Sequence, residues 1–352
     1  MEQALFKCEQ IPCRGWALYE YSNYLKMAKK LPINSNELNT LRGLACLFLV
    51  SFHVVGVDPD SGLRLSQGFL RDLNDAFLYI RMPLFTFLSG YVYAYRPFSG
   101  EAKVFLLKKV RRLLLPMLTI GTVFALLQSF VPGTNGSISN WYLLHILPVG
   151  HFWFIESLFV VFLVITLLEM FDFFSTVSRF KCVLLFASLL FLSSIVFPYF
   201  SITGAIYLFP FFVFGMGIHR YHLVSKKIIS RRLLLLSIVI TVLFFIYNGL
   251  IPLQERRSLF SLVFGFFSCV SLCLLKPNFK LFSWLGMFSY SIYLFHVFFT
   301  AGSRILLGIL DVDNLSFVFI ASLFFGLVGP IAVEKVLLVN KYTRIFFLGK
   351  AG

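Results

Sequence analysis

The chain reads as an all-α, polytopic transmembrane bundle of about ten helices with both termini on the cytoplasmic side, and three observations predict it. Of 352 residues, 59% are hydrophobic, 18% aromatic and only 13% charged, against roughly 45–50% apolar and 25% charged in soluble domains. The apolar residues fall into runs of roughly 20, the length that crosses about 30 Å of hydrocarbon as a helix. They lack the alternation that a strand-built barrel requires. Lys and Arg are unequally shared between alternate connections, with 24 on the side of the amino terminus and five on the other. Cytoplasmic connections are enriched in these residues, so the amino-terminal side is the cytoplasmic one.

Taken in order, the spans fall at about 38–57, 76–95, 113–131, 152–171, 182–198, 203–218, 233–251, 258–275, 282–302 and 315–338. They form one transmembrane domain, 38–341, between a cytoplasmic segment 1–37 and a cytoplasmic tail 342–352. The run from Arg96 to Arg112 reads as a cytoplasmic loop, and Trp141 to Val149, too short to cross, as an interfacial or re-entrant lead-in to the fourth span. No charged start followed by an apolar core marks a signal peptide, so the first span is expected to act as the targeting signal. The far-side loops are short and hold Asp58, Asp60, Asp72, Asp75, Glu255, Asp311 and Asp313. Chemistry on that side therefore has to take place in a cavity of the bundle. The net charge of +15 reports topology rather than nucleic acid, since no basic surface interleaved with aromatics exists to hold a polymer. The six cysteines form no CxxC pair and no cluster at zinc spacing, and no metal is expected. No inverted repeat of the kind found in many transporters is evident.

Charge at membrane depth costs roughly 2.5–3.5 kcal/mol for a central Arg, which makes an ionisable residue inside a span a functional candidate by default. The first span holds two, Arg42 and His53. Eleven residues at ~100° each amount to about three turns plus ~20°, so both side chains share a helix face about 16 Å apart. Imidazole has the unperturbed pKa nearest neutrality and can take a proton from a hydroxyl during acyl transfer. The competing reading of His53 is a histidine that bonds across helices for packing. Arg42 on the same face favours a ligand with an anionic head near the cytoplasm and a reactive group deeper in the membrane, although its place near the start of the span also suits snorkelling.

In the second span Arg81 stands about one turn in from the outer side, just before Pro83, whose missing N–H frees a backbone carbonyl. That mixture suits a polar cavity; the alternative is an Arg reaching out to headgroups. Lys108-Lys109-Val110-Arg111-Arg112 runs into a helix ahead of Pro116, where anionic lipid and the positive-inside bias compete with phosphate as the explanation. His151-Phe152-Trp153-Phe154-Ile155-Glu156 opens the fourth span and places a carboxylate one turn inside the outer boundary, within reach of Arg81 or of a substrate hydroxyl. Ser289-Tyr290-Ser291-Ile292-Tyr293-Leu294-Phe295-His296 adds hydroxyls and an imidazole to the ninth span, with aromatic packing as the other reading of Tyr290 and Tyr293. Glu334 closes the tenth span beside Lys335.

Together these residues resemble the integral-membrane acyltransferase 3 family over nearly the whole chain, from about Leu38 to Lys341. Asn39-Thr40-Leu41-Arg42-Gly43-Leu44-Ala45 followed by His53 is similar to the family's Arg-x10-His signature. Met82-Pro83-Leu84-Phe85 through Ser89-Gly90-Tyr91, Arg111-Arg112 to Pro116, Phe152-Trp153-Phe154, Ser289 to His296 and Glu334-Lys335 support it in the same order. The resemblance implies a ten-helix fold in the plasma membrane, the inner membrane of a bacterium. It implies transfer of an acyl group, most often acetyl from acetyl-CoA, to a hydroxyl of a cell-envelope polymer such as a lipopolysaccharide or exopolysaccharide, a glycolipid or a signalling glycan. Some members carry an attached SGNH hydrolase-like domain; here an accessory protein or direct transfer is expected to serve.

On that picture Arg42, Arg111 and Arg112 bind the phosphates of acyl-CoA through forked, charge-assisted hydrogen bonds. His53 acts as general base or as a transient acyl carrier. Arg81, Ser89 or a backbone amide stabilises the oxyanion, a role worth roughly 3–4 kcal/mol per donor. Trp153, Glu156, Tyr293 and His296 line the acceptor side. The expected partners are acyl-CoA, a carbohydrate acceptor and membrane lipids, without nucleic acid, and a homo-oligomer is left open. The main rival is a proton-coupled transporter, because buried Arg, His and Glu also make proton relays; a purely structural subunit fits the number of intramembrane ionisable groups less well.

Overall fold

In the computed structural model of the protein, the described residues are 34–131, 141–223, 234–236, 238–239, 243 and 257–350. Among them the elements are helical, with no strand. The first helix, α1 (Ser35–Val55), starts at a capping box in which Asn34 Oδ1 accepts from Glu37 N–H at 2.8 Å and Glu37 Oε2 from Asn34 N–H at 3.1 Å. It stops at Gly56, whose φ of 111° few other residues tolerate. A short helix α2 (Phe69–Ala76) leads into α3 (Leu78–Tyr93). Next come α4 (Ala102–Lys109), a π-helical turn at Val110–Leu114 and α5 (Leu115–Phe130), which together form one apolar rod. After 3-10 turns at Trp141–Leu143 and Gly150–Phe152 follow α6 (Trp153–Met170), α7 (Val177–Leu192) and α8 (Ile202–Arg220). The chain ends in α9 (Leu259–Leu275), α10 (Lys280–Met287), α11 (Ser289–Ile309), α12 (Leu315–Leu337) and α13 (Lys341–Leu348).

Among the described residues six helical stretches are long and apolar enough to cross a membrane, and a seventh if α9 and α10, bent by 117°, count as one span. Three of the ten expected spans are not among these. Helices α3 and α7 hold 16 residues each, about 24 Å of rise, short of a ~30 Å hydrocarbon core. The span expected at 233–251 lies mostly outside the described residues, as does most of the segment 1–37. The span expected at 282–302 is interrupted at Phe288, where α10 ends and α11 begins. The run expected to be a loop from Arg96 to Arg112 is helical from Ala102 onward, and the expected tail is occupied by α13.

Two reciprocal close approaches set the core. A Cβ built on Gly90 meets Phe212 O at 2.0 Å and one on Gly215 meets Phe87 O at 2.1 Å, so α3 and α8 pack backbone to backbone. Gly43 and Gly286 do the same for α1 and α10, against Phe282 O at 2.0 Å and Asn39 O at 1.8 Å. Small residues at such crossings are the usual means by which helices associate in lipid, where the hydrophobic effect does not drive them together. These crossings bring α1, α3, α6, α8 and α11 around a shared interior.

Candidate active site

The last turn of α1 faces a cavity of about 860 Å³. Leu49, Phe52 and His53 contribute from α1, Arg81 from α3, His151 and Trp153 from the start of α6, and Tyr293 from α11. Leu147 and Pro148 ahead of α6, and Val196, Phe197 and Pro198 from the connection between α7 and α8, add to its lining. The Arg81 guanidinium lies 3.7 Å above the centre of the Phe52 ring, an arrangement in which the ring quadrupole attracts the cation. Outside the span, burial raises the Asp75 carboxyl above its ordinary range against the opposing pull of Arg71 and Arg81.

His53 sits in a cluster of three imidazoles. Its ring centre lies 4.8 Å from that of His296 and 5.9 Å from that of His151, and the latter two are 4.9 Å apart. His296 Nδ1 lies 2.9 Å from the carbonyls of both Ile292 and Tyr293. Carbonyls only accept, so Nδ1 holds the proton and Nε2 keeps its lone pair. That Nε2 is buried and has no hydrogen-bond partner among the described residues. The Tyr293 hydroxyl donates to the carbonyl of His151, tying α11 to the start of α6.

Two arginines hold the α1 terminus that carries His53. Arg304 of α11 donates to the His53 carbonyl at 3.1 Å. Buried Arg71 of α2 donates to the carbonyls of Gly56 and Val57 at 3.1 and 3.2 Å and pairs with Asp75 at 2.9 Å. Cations at a helix carboxyl end satisfy orphan carbonyls and oppose the negative pole of the dipole. By charge counting both arginines belonged to far-side loops; the structure places them in helices, aimed at the backbone beneath His53.

The opposite wall is built by an unusual turn. Phe200 and Ser201 are consecutive non-glycine residues in the left-handed region, at φ 52° and 49°, a conformation that costs of order 1–3 kcal/mol per residue. The turn carries Ser201 Oγ to Glu156 Oε2 at 2.5 Å, while the Ser201 carbonyl accepts from Ser157 Oγ at 2.8 Å. Both Ser201 and Glu156 are buried, and Ser201 lines the cavity. Arg257 fixes the loop ahead of this turn, donating to the carbonyls of Leu190, Phe191, Ser193 and Ile195.

At the other end of α1, Arg42 donates to Asn39 Oδ1 at 3.2 Å and has Arg112 as an electrostatic neighbour. Pro116 has no N–H for the carbonyl four residues earlier, that of Arg112. The Tyr290 hydroxyl takes that carbonyl at 2.5 Å, and the Arg112 guanidinium lies 4.9 Å from the Tyr290 ring centre. Arg111 and Arg112 are exposed.

The structure therefore brings His53, Arg81, Trp153 and Tyr293 into the lining of one cavity, with His296 packed against His53 and Glu156 bonded to Ser201. Arg42, Arg111 and Arg112 lie apart, and Arg42 does not line the cavity. Ser89 is also outside its wall and uses its hydroxyl on Phe85 O at 2.8 Å. Glu156 pairs with Ser201 rather than Arg81, and Glu334 with Lys350 rather than its neighbour Lys335. Sequence reasoning missed His151, Ser201 and Arg304. His151 had a signal, an imidazole directly preceding the aromatic run of the fourth span. Among the described residues no group of three His, Cys, Asp or Glu side chains is arranged to hold a metal.

A family model described as an acyltransferase domain, that of acyltransferase 3, matches residues 35–335, nearly the whole chain. No curated protein and no solved structure matches.

Proposed function

The chain belongs to the acyltransferase 3 family, and from that premise we propose that it moves an acyl group, acetyl in the first instance, from acyl-CoA on the cytoplasmic side of the plasma membrane to a hydroxyl of a surface polysaccharide, glycolipid or related glycan. The observation that carries this reading is the cavity whose lining presents His53 and Arg81 together. A second support is the cationic group of Arg42 and Arg112 at the opposite end of the same bundle.

The acceptor hydroxyl gives its proton to His53 as its oxygen attacks the thioester carbonyl. Arg81, desolvated in the cavity wall, faces the negative charge that develops on the carbonyl oxygen. The carbon–sulfur bond then breaks, and the leaving thiolate takes the proton back from the imidazolium, so that ester and free CoA thiol are the products. Arg42, with Arg111 and Arg112, holds the CoA phosphates, which directs the thioester along α1 towards His53.

Labelled acetyl transfer in membranes tests this. His53→Ala is expected to lower transfer at least ~100-fold, the lower end of a general base's contribution. Arg42→Ala is expected to raise the acetyl-CoA KM by roughly 10- to 100-fold, as loss of a charge-assisted bond of about 1.5–3 kcal/mol predicts. Undiminished labelling in both variants defeats the mechanism. Solute movement without any thioester requirement points to a permease instead.

A further inference from the structure

Ser201 is the first residue before α8, the position from which a serine ordinarily caps its own helix by accepting from a backbone N–H. It makes no such bond. The left-handed backbone of Phe200 and Ser201 turns the hydroxyl away from α8 and onto the Glu156 carboxylate at 2.5 Å, inside the wall of the cavity that holds His53. The capping bond is thus given up, at a site of backbone strain, for a bond to Glu156 that fixes a serine of the cavity lining; strain of this kind collects at ligand sites.

The surroundings supply the other half of a recognition surface. Trp153 lies one helical turn before Glu156 and lines the same cavity with Tyr207, their ring centres 6.5 Å apart. Gly204 lets α8 approach the indole: a Cβ there meets Trp153 Cε3 at 2.8 Å and Ser157 Oγ at 2.2 Å. An aromatic pair beside a carboxylate–hydroxyl pair matches a molecule with an apolar C–H face and adjacent hydroxyls. The serine oxygen lines the cavity and keeps lone pairs for a ligand donor while its proton is held by Glu156.

We infer that Ser201, held by Glu156, is a specificity-determining residue that binds a second hydroxyl of a polyhydroxylated acceptor while its reacting hydroxyl is presented to His53. This rests on the acyltransferase reading. It excludes simple alcohols as good acceptors and makes the Trp153–Ser201 wall, rather than the His53 wall, the place where acceptors are distinguished.

The test uses the full-length protein in lipid nanodiscs with labelled acetyl-CoA and two acceptors of equal alkyl length, hexyl β-glucoside and 1-hexanol. The wild type is expected to prefer the glucoside. Ser201→Ala is expected to raise the glucoside KM at least tenfold and erase the preference, while the acetyl-CoA KM moves less than twofold. A glucoside KM within twofold of wild type, or an equal loss on both acceptors, overturns the inference. Glu156→Gln, which keeps size but removes the charge, is read in the same way and decides the matter if Ser201→Ala does not fold. A donor-free arm follows tryptophan fluorescence against methyl β-glucoside: saturable quenching lost in the variant supports the site, and quenching that is absent or unchanged overturns it. If the wild type transfers no label to either acceptor, the acyltransferase reading fails, and this arm still decides the fate of the Ser201 site.

Discussion

His53 sits in the last turn of a helix, where backbone bonds are fewest and fraying is easiest. The Arg304 bond to its carbonyl at 3.1 Å replaces the helical partner that the end of α1 lacks. Arg304→Met is therefore expected to lower the transfer rate about tenfold through loss of a bond of roughly 1.5–3 kcal/mol, with little change in the acetyl-CoA KM. Arg304→Lys should restore part of the rate, because a single ammonium donor reaches the same carbonyl without the fork. A rate that is insensitive to Met, or not recovered by Lys, removes Arg304 from this positioning role. Arg42, His53 and Arg81 were legible in the sequence because charge in an apolar run is costly and therefore conspicuous. Ser201 was not: a serine at a helix start looks like an ordinary cap, and the handedness of the Phe200–Ser201 backbone leaves no compositional trace. Arg304 was concealed by proximity to a loop, since charge counting cannot tell a headgroup-facing arginine from one aimed at a neighbouring helix.

The junction between α4 and α5 shows how one residue type reshapes an element. Pro116 deprives Arg112 of its helical hydrogen bond, the turn widens to a π-helix at Val110–Leu114, and Tyr290 of α11 supplies the missing donor at 2.5 Å. Interrupted helices of this kind are frequent at functional sites. The junction also places the Arg112 guanidinium 4.9 Å from the Tyr290 ring. Tyr290→Phe keeps the ring and removes only the donor, so it loses a hydrogen bond worth about 0.5–1.5 kcal/mol net. Its expected result is a several-fold rise in the acetyl-CoA KM and a lower unfolding temperature. Adding Pro116→Ala, which returns the backbone N–H, should recover both; failure of that rescue separates the proline from the tyrosine. Hydropathy located the apolar part of this rod but assigned Ala102–Lys109 to a loop, because a charged first turn and an exposed helix read alike. The break at Phe288 was equally invisible, lying within an apolar run that the structure divides between α10, packed through Gly286 on Asn39 of α1, and α11.

Across the whole molecule, the two ends of α1 carry opposite tasks. The end near its start has Arg42 with Arg112 as an electrostatic neighbour, and the other end has His53 in a cavity lined by Leu147, Pro148, Val196 and Phe197. The proposed direction of transfer requires these walls to face away from the cytoplasm, as the distribution of 24 against five Lys and Arg predicts. Cysteine accessibility measures this directly. In a Cys182→Ser background, chosen because Cys182 is the exposed free thiol among the described residues, Val196→Cys is expected to react with an impermeant maleimide in intact cells. Glu101→Cys, just ahead of α4, should react only after permeabilisation. The reverse pattern inverts the bundle: donor cations then face outward, where acyl-CoA is not supplied, and the cavity opens to the cytoplasm. Pre-incubation with a glycan acceptor should slow labelling at Val196→Cys and not at Glu101→Cys, because only the first borders the cavity. Protection at both positions would mean that the acceptor alters the whole bundle rather than occupying the space beside His53.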